Sequence, residues 1–98
     1  MDLDFGDDAL KRLYTEPVFD MGLPSGVVKA YRRKVFFIAE ATDERDLRAW
    51  KALHLEKLKG DRQHQYSIRL NDQYRLIFEL VGEGRSKRLR IVGVEDYH

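Results

Sequence analysis

Cysteine is missing from this sequence, and its absence excludes two kinds of site. A chain without thiols forms neither a disulfide nor a thiolate zinc centre, and a reducing cytosol suits it. The sequence also lacks an apolar run long enough to span a bilayer, and its first residues do not have the pattern of a secretory leader. We therefore expect a cytoplasmic protein that makes no contact with membranes.

Sequence motifs for the commonest catalytic chemistries are lacking as well. The chain contains no glycine-rich phosphate loop, no His-Glu-x-x-His helix, and no serine nucleophile in a recognisable setting. Its three histidines do not have the spacing of metal ligands. We expect neither a metal nor another cofactor, so any catalysis depends on the side chains themselves.

The chain length of 98 residues is enough for one small core and too few for two, so we expect a single domain over residues 1–98. The composition, 43% hydrophobic and 36% charged, is typical of a folded soluble protein. The net charge of +1 conceals a local excess of cations, because residues 57–75 contain five basic and two acidic side chains. Such a patch suits a polyanion that is bound at one place.

The hydrophobic pattern of the chain predicts an α+β domain. Residues 1–5 alternate between apolar and acidic side chains, which predicts a short first strand. Asp7 or Asp8 is then expected to cap a short helix, and Ser25 to cap a longer one that runs to about Thr42. Residues 87–94 read as the last strand, in which Gly93 suggests a bulge.

The clearest pattern is a β-hairpin. Directly opposed residues of an antiparallel pair share a face, so its two apolar sets must meet. A two-residue loop would place Ile68 against Arg75, whereas a three-residue loop at 71–73 pairs Ile68 with Leu76. That register sets Arg69 directly across from Arg75 on the other face. The alternating apolar residues are Tyr66, Ile68 and Leu70, then Tyr74, Leu76, Phe78 and Leu80.

Two opposed arginines suggest an anion site, because like charges facing each other are otherwise destabilising. A phosphodiester is the natural ligand for two guanidiniums. Cleaving RNA without a metal needs a base for the ribose 2′-hydroxyl, cations for the phosphorane and an acid for the 5′-oxygen. The residues that could supply these groups are His54, Lys57, Lys59, Arg62, Arg69, Arg75, Asp96, Tyr97 and His98.

Each of these candidates also has a simpler structural interpretation. His54 could be an exposed loop residue or a helix cap, and the lysines and Arg62 could be solvated surface residues. The chain end at 96–98 could be a frayed tail. The opposed arginines could be neutralised by Asp96 or Glu79 in a structural ion pair. Composition and hydrophobic pattern alone therefore predict an α+β domain with an anion site, and nothing more specific.

Three segments together resemble the HigB-type toxins of the RelE/ParE toxin superfamily, which includes the plasmid maintenance killer proteins. The resemblance implies a RelE-like fold, with an antiparallel-rich sheet of about four strands packed against two N-terminal helices. It also implies a ribosome-dependent, metal-independent endoribonuclease that cuts mRNA in the ribosomal A site. The matching segments are Leu58-Lys59-Gly60-Asp61-Arg62, residues 65–76, and the terminal Asp96-Tyr97-His98.

The resemblance also implies a role for each matching residue. His98 is expected to transfer a proton, Asp96 to orient it or share that role, and Tyr97 to stack on or bond to the nucleotide. Arg75 is expected to stabilise the phosphate, and together with Arg69 it should converge with His98 on one scissile linkage. His54 stands five residues before Lys59, two further than in a related branch. The RNA-binding residues expected beside these are Lys57, Lys59, Arg62 and Arg69.

The resemblance implies partners as well, and it leaves two other functions open. The expected partners are the ribosome with mRNA and a HigA-type helix-turn-helix antitoxin, through which the toxin would reach operator DNA. The first alternative is a ParE-like inhibitor of a protein target such as DNA gyrase. The second is a degenerate relative that serves only as an antitoxin partner or as a DNA-bound co-repressor.

Overall fold

The computed structural model describes residues 1–84 and 87–96, which form an α+β fold with one five-stranded sheet in the order β1-β5-β4-β3-β2. Two single-turn 3-10 segments, Lys51–Leu53 and Gly60–Arg62, flank the shortest strand. No helix in the described part of the chain has the length and apolar character needed to cross a membrane. The elements are β1 (Asp2–Phe5), α1 (Asp8–Thr15), α2 (Ser25–Glu40), α3 (Glu44–Ala49), β2 (Glu56–Lys57), β3 (Gln65–Arg69), β4 (Tyr74–Val81) and β5 (Arg88–Asp96).

The sheet confirms the predicted α+β class and differs slightly from the expected strand count. Three of its four strand pairings are antiparallel, and β1 lies parallel to β5 at one edge. The fifth strand is β2, which has only two residues. Two residues are too short to produce a detectable alternation, so sequence periodicity identified the other four strands and not this one.

The two N-terminal helices begin in different ways. The Asp7 side chain accepts a hydrogen bond from the Leu10 amide at 2.9 Å and caps α1, as the sequence predicts. The prediction that Ser25 caps α2 is wrong, because Pro24 occupies the cap position and Ser25 is the first helical residue. The Pro24 carbonyl accepts from the amides of residues 27 and 28, so the helical hydrogen bonds start without a side-chain cap.

The core lies between the helices and one face of the sheet. Tyr31 is fully buried there, and its hydroxyl donates to the Leu10 carbonyl at 2.8 Å, which ties α2 to α1. The buried core residues from the helices include Leu10, Leu13, Val27, Val35, Ile38 and Leu47, and those from the strands are Ile68, Leu76, Phe78, Leu89 and Ile91.

The hairpin has the predicted register. Ile68 pairs with Leu76 and Arg69 with Arg75. The Leu70 amide also donates to the Tyr74 carbonyl at 2.9 Å, which extends the pairing by one residue and leaves the predicted three-residue loop, 71–73. Asn71 stabilises this loop, because its side-chain oxygen accepts hydrogen bonds from the amides of Gln73 at 2.8 Å and of residue 74 at 2.7 Å. The alternating apolar residues of both strands, Ile68 and Leu76 among them, therefore face the helices, and the arginines project from the opposite, open face of the sheet.

A register shift between β4 and β5 confirms the predicted bulge near Gly93. Gly93 pairs with Ile77, whereas Ile91 pairs with Phe78, so Val92 is the extra residue. The shift sets which residues are opposite each other in the rest of the strand pair. Beyond it, Glu95 pairs with Arg75 and residue 96 pairs with Tyr74.

We expect Tyr31→Phe to lower the free energy of unfolding at neutral pH by about 1 kcal/mol, since it removes a buried hydrogen bond. Burial raises the pKa of Tyr31 well above its ordinary value. The folded state therefore keeps the phenol proton longer, so this contribution is complete below about pH 10 and declines above it. Urea denaturation at neutral pH and above pH 10 checks both statements. Tyr14→Phe, in a half-buried ring, is the control, and an equal loss in both variants would contradict the prediction.

We expect Asn71→Ala to destabilise the fold by about 1 kcal/mol, because the loop amides lose their acceptor. Asn71→Asp retains a side-chain oxygen and should stay close to the wild type. Denaturant midpoints of the three proteins measure the difference. Equal destabilisation of both variants would show that the side-chain acceptor is not what holds the loop.

Candidate functional site

The open face of the sheet carries a row of three charged residues at one end. Arg75 is directly opposite Arg69 on β3 and directly opposite Glu95 on β5. Opposed residues on neighbouring strands project from the same face, so the two guanidiniums and one carboxylate lie side by side. We call Arg69, Arg75 and Glu95 the charged row.

Arg75 is almost fully buried, with 8% of its surface exposed. Its guanidinium donates to the hydroxyl oxygen of Ser67 at 3.0 and 3.3 Å and to the His54 carbonyl at 2.9 Å. The Glu56 carboxylate lies 3.7 Å from the same guanidinium. A cation that is removed from water needs such partners, and here they come from β3, from β2 and from the segment before β2. The Arg75 side chain is therefore fixed in direction.

Arg69 is more exposed than Arg75 and has contacts of a different kind. Its side chain forms an ion pair with Asp72 in the hairpin loop, and its carbonyl accepts a hydrogen bond from the Lys34 ammonium. Lys34 is only 7% exposed, although it lies on α2. Burial, followed by the positive charges of Arg33, Arg69 and Arg75, lowers the pKa of Lys34. A buried cation therefore lies behind the charged row and adds to the positive potential there.

Arg62 reaches across the open face from the 3-10 segment that precedes β3. Its guanidinium donates to the Gln65 side chain at 2.9 Å and to both carboxylate oxygens of Glu95, at 2.6 and 3.1 Å. Ile77 lies on the same face between these two anchor residues and is only 2% exposed. Arg62 is thus bonded to one member of the charged row, Glu95.

The predicted site residues between 54 and 59 do not all lie beside the charged row. His54 ends the 3-10 segment Lys51–Leu53 in a left-handed conformation, with φ of 50°, and the structure gives it a contact with Arg75 through its carbonyl. Lys57 pairs with Tyr66, a residue of the helix-facing side, so it projects away from the arginines. Lys59 is exposed and immediately precedes the segment that contains Arg62.

The predicted catalytic end of the chain is described only in part. Asp96 pairs with Tyr74, and its carboxylate accepts from the Gln73 side chain at 3.0 Å. The alternation of β5 therefore gives Glu95, and not Asp96, the position beside Arg75. Tyr97 and His98 lie outside the described residues, so the expected convergence of His98 with the two arginines stays a prediction.

Four residues in or beside the charged row were not predicted from the sequence: Ser67, Glu56, Glu95 and Lys34. Ser67 and Glu56 are directly opposite each other on β3 and β2, which the two-residue length of β2 concealed. The position of Glu95 depends on the bulge. A lysine on the buried stripe of α2 is the one signal that was visible, since an unpaired ammonium is rarely buried.

The charged row and its neighbours offer guanidiniums for a phosphate group and carboxylates for a proton. Arginine presents several N–H donors in a fixed plane that matches phosphate oxygens, and a carboxylate accepts protons. Within residues 1–84 and 87–96, no three histidine, aspartate or glutamate side chains are grouped to hold a metal ion.

Most of this chain matches a known protein family. Residues 3–91 match the model described as "RelE-like toxin of type II toxin-antitoxin system HigB". The chain is 37% identical to Toxin HigB-1 of Vibrio cholerae over 81 residues, which are 83% of this chain and 85% of that protein. It is 40% identical to an uncharacterized protein of Haemophilus influenzae over 75 residues, or 76% and 74% of the two chains.

Solved structures of related toxins share the fold at lower identity. A YoeB/ParE toxin from Agrobacterium tumefaciens aligns over all of both chains with a TM-score of 0.62 and 17% identity. A YoeB–YefM complex from Staphylococcus aureus aligns over all of this chain and 97% of its own, with a TM-score of 0.60 and 19% identity. These matches confirm the RelE-like fold that the sequence motifs imply. The chain belongs to the HigB-like toxin family, the RelE-like toxins of type II toxin–antitoxin systems.

Proposed function

We propose that this toxin is a ribosome-dependent, metal-independent endoribonuclease that cleaves mRNA in the ribosomal A site. The observation that supports the proposal best is the pairing of Arg69 with Arg75 on the open face, where Arg75 is held by Ser67 and the His54 carbonyl. Two neighbouring guanidiniums, one of them fixed in direction, suit a phosphodiester whose negative charge increases in the transition state.

The proposed reaction is a transfer within the RNA strand. The 2′-oxygen loses its proton and attacks the neighbouring phosphorus, and the bond from phosphorus to the 5′-oxygen breaks. The products are a 2′,3′-cyclic phosphate and a 5′-hydroxyl. Arg75 and Arg69 stabilise the phosphorane, and Lys59 and Arg62 bind the flanking phosphates. His98 supplies the proton for the departing 5′-oxygen, with Asp96 and Tyr97 as its supporting residues; these roles rest on the family resemblance.

The ribosome is proposed as a part of the working enzyme. The net charge of +1 is small for a protein that must bind free RNA tightly. Holding the scissile linkage in line for attack supplies much of a catalyst's advantage, and a bound ribosome can provide that alignment. The proposed antagonist is a HigA-type helix-turn-helix antitoxin, in keeping with the toxin–antitoxin family and with the relative solved as a YoeB–YefM complex. Operator DNA is bound only through that complex.

We expect Arg75→Lys to reduce mRNA cleavage about 100-fold, because lysine keeps one positive charge but not the planar donors of arginine. Lysine is preferred to alanine here, since alanine would leave Ser67 without its partner and endanger the fold. Mapping of mRNA ends on translating ribosomes measures cleavage, and thermal unfolding verifies the fold. Arg88→Lys, at the opposite end of β4 and β5, is the matched control. Cleavage by Arg75→Lys at the wild-type rate would remove Arg75 from the catalytic groups.

We expect the purified toxin to cleave mRNA on translating ribosomes at least about 100-fold faster than the same mRNA free in solution, because alignment is supplied by the ribosome. Equal rates on both substrates would contradict ribosome dependence. Growth arrest without any new mRNA ends, and with arrest preserved in His98→Ala, would instead favour a ParE-like inhibitor of a protein target. Induction that causes no arrest would favour a degenerate relative.

A further inference from the structure

Lys34 occupies a position on α2 where the helical pattern calls for an apolar residue. It lies on the same face of the helix as Tyr31, Val35 and Ile38, which are fully buried, and it is itself only 7% exposed. No ion pair of the described residues includes Lys34. Taking an ammonium out of water costs free energy unless a polar partner compensates it. The contact that the ammonium makes therefore indicates why a lysine occupies this position.

The partner of Lys34 is the backbone of Arg69 at the end of β3. The ammonium donates a hydrogen bond to the Arg69 carbonyl, a contact between residues 35 positions apart in the chain. The amide of residue 70 donates to the Tyr74 carbonyl, so the adjoining pair of Arg69 and Arg75 is not hydrogen-bonded, and the Arg69 carbonyl points away from β4. Strand β2 does not extend to a position opposite Arg69. The ammonium therefore supplies the donor that a longer β2 would have provided.

The gap beyond the first residue of β2 contains a second cation, Arg75. Continuing the register of β2 and β3 would place residue 54 opposite Arg69. Across this gap the His54 carbonyl accepts a hydrogen bond from the Arg75 guanidinium at 2.9 Å, and the Arg69 carbonyl accepts one from Lys34. Arg75 comes from the open face and Lys34 from the helix side. Two long cationic side chains thus hold the two backbone segments where β2 does not pair them.

The Lys34 ammonium also adds positive charge around the two arginines. Burial, and after it the charges of Arg33, Arg69 and Arg75, lowers the pKa of Lys34. The Arg69 side chain is paired with Asp72, which is exposed in the hairpin loop, and exposed ion pairs contribute little to stability. A phosphate can therefore replace the Asp72 carboxylate at little cost, and its negative charge relieves the repulsion among the cations.

We propose that Lys34 is a positioning residue of the cleavage site: its ammonium fixes the backbone of Arg69, so that the Arg69 guanidinium meets the scissile phosphate beside Arg75. The inference rests on the proposed function and gives Lys34 a part in it without contact with RNA. Arg75 is fixed by its own side-chain bonds, whereas Arg69 ends its strand beside the hairpin loop and depends on its backbone for its position. Donors stabilise a phosphorane best when they are in place before its charge develops.

The experiment is a double-mutant cycle, measured as single-turnover cleavage of mRNA on programmed ribosomes for the wild type, Lys34→Met, Arg69→Met and the double variant. We expect Lys34→Met to lower the maximal rate about 10-fold and Arg69→Met about 30-fold, with half-saturating toxin concentrations within about twofold of the wild type. The double variant should be no slower than Arg69→Met, whereas independent effects would multiply to about 300-fold. Lys34 bonds to the backbone, so a purely structural effect would persist without the Arg69 guanidinium.

Controls separate a loss of folding from a loss of position. Lys29→Met, on the exposed side of α2, is the matched control and should cleave as the wild type does. Lys34→Arg retains a charged donor and should recover most of the rate. Thermal unfolding verifies the fold of each variant. Should Lys34→Met fail to fold, Lys34→Gln, which is uncharged and one atom shorter, replaces it in the cycle with the same criteria.

Two results would overturn the assignment of Lys34. The first is a maximal rate for Lys34→Met within about threefold of the wild type. The second is an equal loss from Lys34→Met with and without the Arg69 guanidinium, which would leave Lys34 with a role in packing only.

Failure of the nuclease proposal has a separate signature. If the wild type produces no new mRNA ends on ribosomes, the proposed function is wrong and the role of Lys34 falls with it. If the wild type cleaves and Arg69→Met cleaves equally, the nuclease proposal stands, but Arg69 does not bind the phosphate and Lys34 has nothing to position.

Discussion

The open face of this toxin depends on the buried guanidinium of Arg75. A positive charge that is 8% exposed must be compensated, and it receives the Ser67 hydroxyl, the His54 carbonyl and the Glu56 carboxylate. Those groups come from β3, from β2 and from the segment before β2, so the Arg75 side chain connects three segments of the chain. The partners that hold Arg75 also fix the direction of its guanidinium, so the packing of this face and the phosphate binding proposed for it depend on the same contacts.

The features that the sequence predicts well are those that a short-range pattern specifies. The alternation from Tyr66 to Leu80 required apolar residues to meet across the hairpin, and that requirement alone placed Arg69 opposite Arg75. The Asp7 cap is likewise local, since the hydrogen bond spans three residues. The same patterns predicted the fold class, and the segments that resemble HigB-type toxins indicated the family.

The features that the sequence did not predict depend on contacts between distant segments. Strand β2 forms because residues 56 and 57 pair with β3, and a two-residue segment has no sequence pattern that predicts this pairing. The bulge at Val92 places Glu95 opposite Arg75. Which face of the sheet the residues after the bulge occupy depends on the strand pairing, which the sequence does not specify. Lys34 is buried because its ammonium meets the Arg69 carbonyl, a contact that spans 35 positions in the chain.

The shortness of β2 has a consequence for how copies of this protein behave toward one another. Strands β1 and β2 form the two borders of the sheet, with four and two residues respectively. A border strand with a long run of unpaired amides and carbonyls is a template for addition of a strand from another molecule. Here one border is brief, and acidic residues alternate along the other, at Asp2 and Asp4. Intermolecular sheet growth, and the amyloid-like aggregation that follows from it, is therefore disfavoured at both borders.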